Sequence, residues 1–188
     1  SAVARGFWTS ALVSGGRAAW NVVTTLNDGE AHKLGKDAHL AHDYRYDRAD
    51  EFMEVVLGHW DAWEDGSLIM DKTTGRFADP AKVKRLDHKG EFFKSRGPFT
   101  VPRSSQGHPV IIQAGASGRG QRFAGRWGEV IFTPARKLVG AQPGYEATRN
   151  QAPTATRHPR QSPLPHLLQP RAAPPPAHGD SSLTLDRP

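Results

Sequence analysis

Short apolar runs alternate with segments of helical periodicity through roughly the first 130 residues of the chain. The run 17–25 is rich in β-branched residues and nearly continuous in apolar character, which predicts a strand covered on both faces. Apolar residues then recur at helical spacing over 46–63, and Asp43 or Asp47 is placed to cap this helix.

The same alternation returns further along the chain. The runs 110–113 and 129–133 predict two short strands, and residues 119–127 between them predict a helix. With the first strand and helix, the order is strand, helix, insertion, strand, helix, strand. That order predicts parallel βα units and hence an α/β fold.

Two parts of the chain have weaker patterns. Residues 2–12 have a poor helical pattern and could be the end of a helix. The insertion, 68–102, contains Asp79 before a proline, which predicts a short helical turn. A small hairpin between 91–94 and 99–101 is also predicted there.

The composition changes near Pro134. All five Trp and all eight Phe lie at or before Phe132, whereas 11 of the 15 Pro lie from Pro134 onward. The first part can bury a core, but the last part has too few apolar side chains to offset the entropy of ordering it. We therefore predict a folded domain over 1–134 and a Pro/Arg-rich tail over 135–188. The tail is interpreted as disordered or as a stretch read out of frame, and we favour the second.

The net charge of +6 suggests a polyanionic partner, but the basic residues are scattered and much of their excess lies in the tail. No motif for specific nucleic-acid recognition is present. The chain has no Cys, no apolar run long enough to span a membrane and no secretory signal at its start. These features predict a cytoplasmic protein that is not a membrane protein. Because no initiator Met is present, we expect a processed chain or a fragment.

A glycine-rich turn follows the strand 110–113 and opens into a predicted helix. Such a turn brings backbone N–H groups to one point. Ser117 adds a hydroxyl and Arg119 a guanidinium, and Gly118 has no side chain to block a ligand. The sequence therefore predicts a phosphate site, although an ordinary tight turn without ligand stays open. Arg119 could pair with the phosphate or with Glu129, and both alternatives remain.

A cluster of His and Asp side chains lies between the first strand and the first long helix. His32, His39 and His42, with Asp37 and Asp43, have the residue types of a metal site. Their spacing does not follow the i, i+4 pattern of helical zinc ligands, so we expect no metal here.

Four motifs in order resemble the flavin-dependent monooxygenases of the nitrilotriacetate and dibenzothiophene-sulfone type, within the bacterial-luciferase-like superfamily. They lie at residues 16–25, 42–52, 87–93 and 109–120. The resemblance implies a TIM barrel, of which this chain would supply about strands 4 to 6. It also implies a two-component system, in which a separate NAD(P)H:FMN reductase supplies reduced FMN and the monooxygenase uses it with O₂ to oxygenate a small organic substrate.

The resemblance assigns cofactor contacts to particular side chains. His42 and Tyr46 match the His-x-x-x-Tyr motif that contacts FMN, and Ser117 matches the serine that binds the FMN phosphate region. Asn21 and Thr24 correspond to a strand that lines the flavin pocket. The catalytic residues stay unknown, because the family's first three and last two strands have no counterpart here.

A truncated barrel would expose parallel strand edges, so we expect the chain to aggregate or to need a partner. A homo-oligomer is compatible with this. The alternative function is that of a non-catalytic, degenerate fragment whose basic tail binds polyanions.

Overall fold

The structure, a computed structural model, describes residues 2–25, 28–33, 35–133, 138–150 and 166–168. The helices are α1 (Ala2–Val13), α2 (Asp28–Lys33), α3 (His42–Trp60), α4 (Gly118–Trp127) and α5 (Leu138–Asn150). The strands are β1 (Ala19–Asn21), β2 (Leu68–Asp71), β3 (Arg76–Ala78), β4 (His88–Lys89), β5 (Lys94–Ser95), β6 (Val110–Gln113), β7 (Val130–Phe132) and β8 (His166–Leu168).

The main sheet has four parallel strands in the order β1, β6, β7, β8. Trp20 of β1 stands opposite Ile111 of β6, and Gln113 of β6 stands opposite Ile131 of β7. Helix α3 lies between β1 and β6 in the sequence, and α4 lies between β6 and β7. The predicted α/β alternation and the predicted partial TIM barrel are confirmed, and β8 adds a fourth strand that was not predicted.

Within the described residues, helices pack against one face of this sheet. Trp20, Ile111 and Ile131 are buried, whereas Ala19 and Asn21, on either side of Trp20 in β1, are exposed and Phe132 of β7 is 39% exposed. The prediction that the first strand is covered on both faces is therefore wrong. Alternate side chains of a strand point to opposite faces, so a continuous apolar run does not by itself show that both faces are packed.

Aromatic side chains hold α1 and α3 against the covered face. The rings of Trp8 and Trp60 stack with their centroids 6.3 Å apart, and Trp20 meets Trp60 edge-on at 6.2 Å. The Trp60 indole N–H donates to the carbonyl of Ala4 at 2.9 Å. Ala4, Trp8 and Ala11 are all buried at helical spacing, which explains why residues 2–13 form a full helix despite a poor overall pattern.

Helix α3 begins four residues before the predicted start and ends at Trp60. Its N-cap is Ala41, which makes no side-chain capping bond, so the prediction that Asp43 or Asp47 caps this helix is wrong. Asp43 instead lies in the first helical turn, where a negative charge interacts favourably with the helix dipole.

The insertion between α3 and β6 carries two antiparallel pairs, β2 with β3 and β4 with β5. The predicted turn is confirmed, because the Asp79 carboxylate caps a 3₁₀ turn over Pro80–Lys82. The predicted hairpin between 91–94 and 99–101 is wrong. Two backbone N–H groups at 92 and 93 donate instead to the carboxylate of Glu51 on α3, which holds this segment against the helix.

Helix α5 and strand β8 lie beyond the predicted domain boundary at residue 134. Helix α5 contacts α4, and β8 extends the parallel sheet beside β7. The apolar pattern predicted no element in this region. The predicted disordered or out-of-frame character of the remaining tail falls on residues 151–165 and 169–188, outside the described residues. Within the described ranges, no helix combines the length and the apolar character that crossing a bilayer requires.

Candidate functional site

The candidate site lies at the carboxyl ends of β1 and β6, which meet at one edge of the parallel sheet. In barrels of parallel strands, ligands bind at this edge. The turn after β6 is shaped by Gln113, whose buried side-chain carbonyl accepts a hydrogen bond from the backbone N–H of Gly115. This bond directs the chain from the strand into the start of α4.

Ser117 is the N-cap of α4. Its backbone is extended, with φ −69° and ψ 156°, and its Oγ accepts from the backbone N–H of Gly120 at 3.0 Å. The other N–H groups of the first turn have no acceptor within the helix, because no turn precedes them. A side chain added at Gly118 would meet nothing within 4 Å, so this helix start borders open space. The feature is therefore a row of donors that a ligand can approach.

His42, the first residue of α3, lies beside this helix start. Its Nε2 is 3.3 Å from Ser117 Oγ, and its Nδ1 is 2.7 Å from a carboxylate oxygen of Asp43. The hydrogen bond from His42 outweighs the opposing effect of burial and lowers the pKa of Asp43. Because the Asp43 carboxylate accepts a hydrogen bond at Nδ1, the ring is oriented with its second nitrogen toward Ser117.

Tyr46 packs one turn further along α3 and is 5% exposed. Its ring lies 5.2 Å from the His42 ring and 5.6 Å from Phe123, measured between centroids. Its hydroxyl faces the glycine turn: a Cβ added at either Gly115 or Gly120 would come within 2.8 Å of the hydroxyl oxygen. Glycine at both positions therefore lets the turn and the tyrosine approach closely.

Arg119 joins the two helices. Its guanidinium donates to Asp47 at 2.9 Å and to Asp50, and it lies 5.5 Å from the centre of the Tyr46 ring. Burial opposes its charge, but the hydrogen bonds and charges of these two carboxylates outweigh burial and raise the pKa of Arg119.

The alternative pairing of Arg119 with Glu129 is wrong. A carboxylate oxygen of Glu129 instead accepts from the backbone N–H of Ile111 at 3.0 Å, across the start of β6. The guanidinium of Arg119 is thus already committed to two acids on α3, at the edge of the site.

A cavity of about 280 Å³ opens beside the end of β1. Its apolar wall includes Trp20 and Phe52, and its lining also includes Thr24 and Thr25. Thr25 has a φ of +44°, a left-handed conformation that is rare for a β-branched residue. Such a conformation costs on the order of 1–3 kcal/mol and is found mainly where the surrounding structure imposes it, often at ligand sites.

The structure brings together five of the seven residues predicted to bind the cofactor. These are His42, Tyr46, Ser117, Gly118 and Arg119. The other two lie on the β1 side. Asn21 is exposed on the uncovered face of the sheet, and Thr24 lines the cavity. Among the described contacts, none links Asn21 or Thr24 to Ser117.

Sequence reasoning missed a basic face of α3. Arg45 and Arg48, three residues apart, line the cavity together with Lys36. The i, i+3 spacing of the two arginines was a usable signal, because such residues share one side of a helix. Asp47 and Asp50, the two acids that hold Arg119, are also three residues apart, on a different side of α3.

No metal site is found in the described part of the chain, where no three His, Asp or Glu side chains converge as ligands would. The ring nitrogens of His42 face Asp43 and Ser117 instead.

Comparisons with known proteins identify the family to which the chain is related. The family of luciferase-like monooxygenases matches residues 1–169. The dibenzothiophene-sulfone monooxygenase of Rhodococcus erythropolis is 52% identical over 160 residues, which are 85% of this chain and 35% of that protein. Component A of nitrilotriacetate monooxygenase from Aminobacter aminovorans is 45% identical over 149 residues, which are 79% of this chain and 33% of that protein.

A solved structure gives the same result in three dimensions. Riboflavin lyase, crystallised with modified FMN and riboflavin, superposes with a TM-score of 0.74 at 44% sequence identity. The match covers 80% of this chain and 34% of that one, and the chain spans about a third of the length of the curated relatives named above. The extent of the family match, together with the shared parallel sheet, shows that this chain belongs to the luciferase-like monooxygenase family.

Proposed function

We propose that this chain forms part of the FMN site of a two-component monooxygenase, which uses reduced FMN and O₂ to oxygenate a small organic substrate. The observation that carries the proposal is the convergence of Ser117, His42 and Tyr46 on the start of α4. Two helices far apart in the sequence contribute to it, at the sheet edge where barrel ligands bind.

The donor set fits a phosphate. Ser117 offers a hydroxyl whose Oγ accepts from the backbone N–H of Gly120 and lies 3.3 Å from His42 Nε2, so that a bound phosphate can accept the hydroxyl hydrogen in place of the imidazole. His42 places its Nε2 at the same point, and the first-turn N–H groups of α4 add donors and a favourable dipole. The nearby carboxylate of Asp43 is directed at His42 Nδ1 and thereby supports the imidazole rather than competing for the phosphate.

In this proposal, bound reduced FMN supplies the electrons that activate O₂, which no amino-acid side chain provides. The chain's own residues bind and orient. Ser117 and His42 hold the phosphate end, and the Tyr46 hydroxyl closes the cradle from the α3 side. Arg119 holds α4 against α3 through Asp47 and Asp50 and thereby fixes the position of the helix start that carries Ser117.

The relatives support the finer parts of the proposal. One is named component A of its monooxygenase, which suggests a second component, and we propose an NAD(P)H:FMN reductase in that role. Another is named for a sulfone substrate, and the solved neighbour contains modified FMN. The substrate of this chain is proposed only as a small organic molecule. A homo-oligomer and a cytoplasmic location stay predictions.

Anaerobic titration with reduced FMN tests the phosphate cradle. The most informative pair is Ser117→Asn and Ser117→Asp, because both side chains can cap α4 but only the second adds a negative charge. We expect Ser117→Asp to weaken reduced FMN binding by about two orders of magnitude, because the variant loses the hydroxyl that donates to the phosphate and adds a carboxylate that repels it. Ser117→Asn should weaken it much less.

A second pair separates a specific hydroxyl from a general effect on α3. Tyr46→Phe should weaken reduced FMN binding by about 3–10-fold through loss of one hydrogen bond. Tyr44→Phe, on an exposed side of the same helix, should leave it unchanged. Wild-type affinity in both Ser117→Asp and Tyr46→Phe would contradict the assignment. Equal affinity for FMN and for riboflavin, which lacks the phosphate, would contradict the cradle itself.

The polyanion-binding alternative gains no support from the comparisons. The tail on which it was based, residues 135–188, has seven basic and three acidic residues, and most of the tail lies outside the described residues. The family match favours the flavin enzyme instead.

A further inference from the structure

The cavity beside β1 carries positive charge without a described counterion. Lys36, Arg45 and Arg48 line it, and no Asp or Glu is among its described lining residues. None of the three forms an ion pair among the described residues, although both Arg119 and Arg126 nearby do. Lys36 and Arg48 are exposed and Arg45 is half-buried, so an anion that enters the cavity can reach all three positive charges without displacing a carboxylate among the described lining residues. The cavity is therefore prepared for an anion.

The two guanidinium groups are held in place without being neutralised. Arg45 donates from Nη1 to the carbonyl of Leu40 at 2.8 Å, and its Nε is buried with no partner among the described atoms. Arg48 lies over the Phe93 ring, 5.3 Å from its centre. A carbonyl and an aromatic ring orient a cation but carry no negative charge, so both groups keep their capacity for a carboxylate or a sulfonate.

The rest of the cavity is apolar. Trp20 of β1 and Val22 just after it are buried, and Phe52 and Phe93 also line the cavity, with the Phe52 ring 6.2 Å from the Trp20 ring between centroids. A volume of about 280 Å³ is close to the lower end of what small-molecule sites provide. Apolar walls with a few cationic groups are typical of sites for organic acids with a hydrophobic body.

This cavity and the phosphate cradle use different sides of α3. Arg45, Arg48 and Phe52 follow one another at helical spacing and face the cavity. Tyr46 and Asp50 lie on the side that meets α4, through Phe123 and Arg119. The cationic groups of the cavity therefore do not belong to the cradle around Ser117.

We propose that the cavity binds a small organic anion, with its acid group toward Arg45, Arg48 and Lys36 and its hydrophobic body against Trp20 and Phe52. The proposal of an anion site depends only on the residues of the cavity and not on the proposed function. That this anion is the substrate of the monooxygenase rests on the proposed function.

Isothermal titration calorimetry with two matched probes tests the site. 1-Adamantanecarboxylate and 1-adamantanemethanol share one apolar body and differ in charge. We expect the carboxylate to bind saturably and at least about tenfold more tightly than the alcohol, because only it can pair with the guanidinium groups. Arg48→Gln and Lys36→Gln should each weaken binding of 1-adamantanecarboxylate by about fivefold or more. Lys89→Gln removes an equally exposed charge outside the cavity and should have no effect.

Several results would overturn the site: no binding of the carboxylate, equal affinity for both probes, or equal effects of Arg48→Gln and Lys89→Gln. Displacement of the carboxylate by reduced FMN would also overturn it, since the cavity would then belong to the flavin. Because the first titrations contain no flavin, failure of reduced FMN to bind in a parallel experiment would remove the proposed function and leave the anion site standing.

Discussion

Ser117 Oγ and His42 Nε2 lie 3.3 Å apart, although 75 positions separate the two residues in the chain. The contact exists because α3 and α4 start at the same edge of the sheet and pack side by side. The Tyr46 ring against Phe123 and the bond from Arg119 to Asp50 hold the two helices in this register. The polar edge of the site is thus a consequence of how two neighbouring βα units pack.

Gly120 should be indispensable for this packing. A Cβ at position 120 would lie 2.8 Å from the Tyr46 hydroxyl and 3.1 Å from Gly115 Cα, and the second of these is backbone. We expect Gly120→Ala to lower the free energy of unfolding by about 1–3 kcal/mol through overpacking, measured by urea denaturation. It should also weaken reduced FMN binding, because the start of α4 would move.

The matched control is Gly6→Ala, within α1, where an added Cβ meets nothing within 4 Å. It should raise stability by up to about 1 kcal/mol, because alanine is the better helix former. If Gly120→Ala were as stable as Gly6→Ala, the close approach of Tyr46 to the glycine turn would be refuted.

The Arg119–Asp50 pair should be energetically coupled. Their side chains are 13% and 18% exposed, so solvent screens this pair less than a surface ion pair. A double-mutant cycle with Arg119→Gln and Asp50→Asn should give a coupling of about 1–2 kcal/mol in the free energy of unfolding.

The Arg126–Glu54 pair joins the same helices but is 32% and 44% exposed. Its own cycle should give a coupling below about 1 kcal/mol. Equal coupling in the two cycles would show that Arg119 does not fasten α4 to α3 in the way its contacts suggest.

Glu51 should make the stability of the insertion depend on pH. Its carboxylate accepts from the backbone N–H groups of Phe92 and Phe93 at 2.9 and 2.7 Å, and His88 Nε2 lies 3.0 Å away. Burial opposes the charge, but these hydrogen bonds outweigh burial and lower the pKa of Glu51.

A carboxyl group whose pKa is lower in the folded state stabilises the fold above its unfolded pKa and loses that effect as pH falls through the folded value. Glu51→Gln should therefore lower the thermal midpoint near pH 7, and the difference from wild type should shrink as the pH falls below about 4. Glu30→Gln, on exposed α2, serves as the control. A difference that persisted unchanged at pH 3 would contradict a role for the charged carboxylate.

The chain's pattern was sufficient for most of the architecture. The periodicity of α3 and α4 and the apolar runs of β1, β6 and β7 predicted a parallel α/β fold, because helix and strand periods differ clearly over such lengths. The pattern failed where elements depend on distant partners. Strand β8 pairs with β7, and the segment near Phe92 is held by Glu51, and neither contact leaves a local period.

The residues predicted to bind the cofactor also divide into those with a local sequence pattern and those that depend on distant partners. The glycine turn with Ser117 was identifiable because a helix start with an N-cap serine has a local signature. The role of Arg119 was not, because its guanidinium could reach several acids and only the packing of α4 on α3 brought Asp47 and Asp50 to it.

By itself, the sequence determined the strands and helices of the two βα units around β1, β6 and β7, the family to which the chain belongs, and the residue types available for holding a phosphate. Local period, turn residues and capping depend on neighbours within a few positions, so they can be predicted from the sequence. The tertiary structure decided that His42 meets Ser117 and that the Tyr46 hydroxyl meets the glycine turn. It also decided that Arg45 and Arg48 face a cavity without an acid among its described lining residues. Those relationships depend on the orientation of packed helices about their axes, which long-range contacts fix.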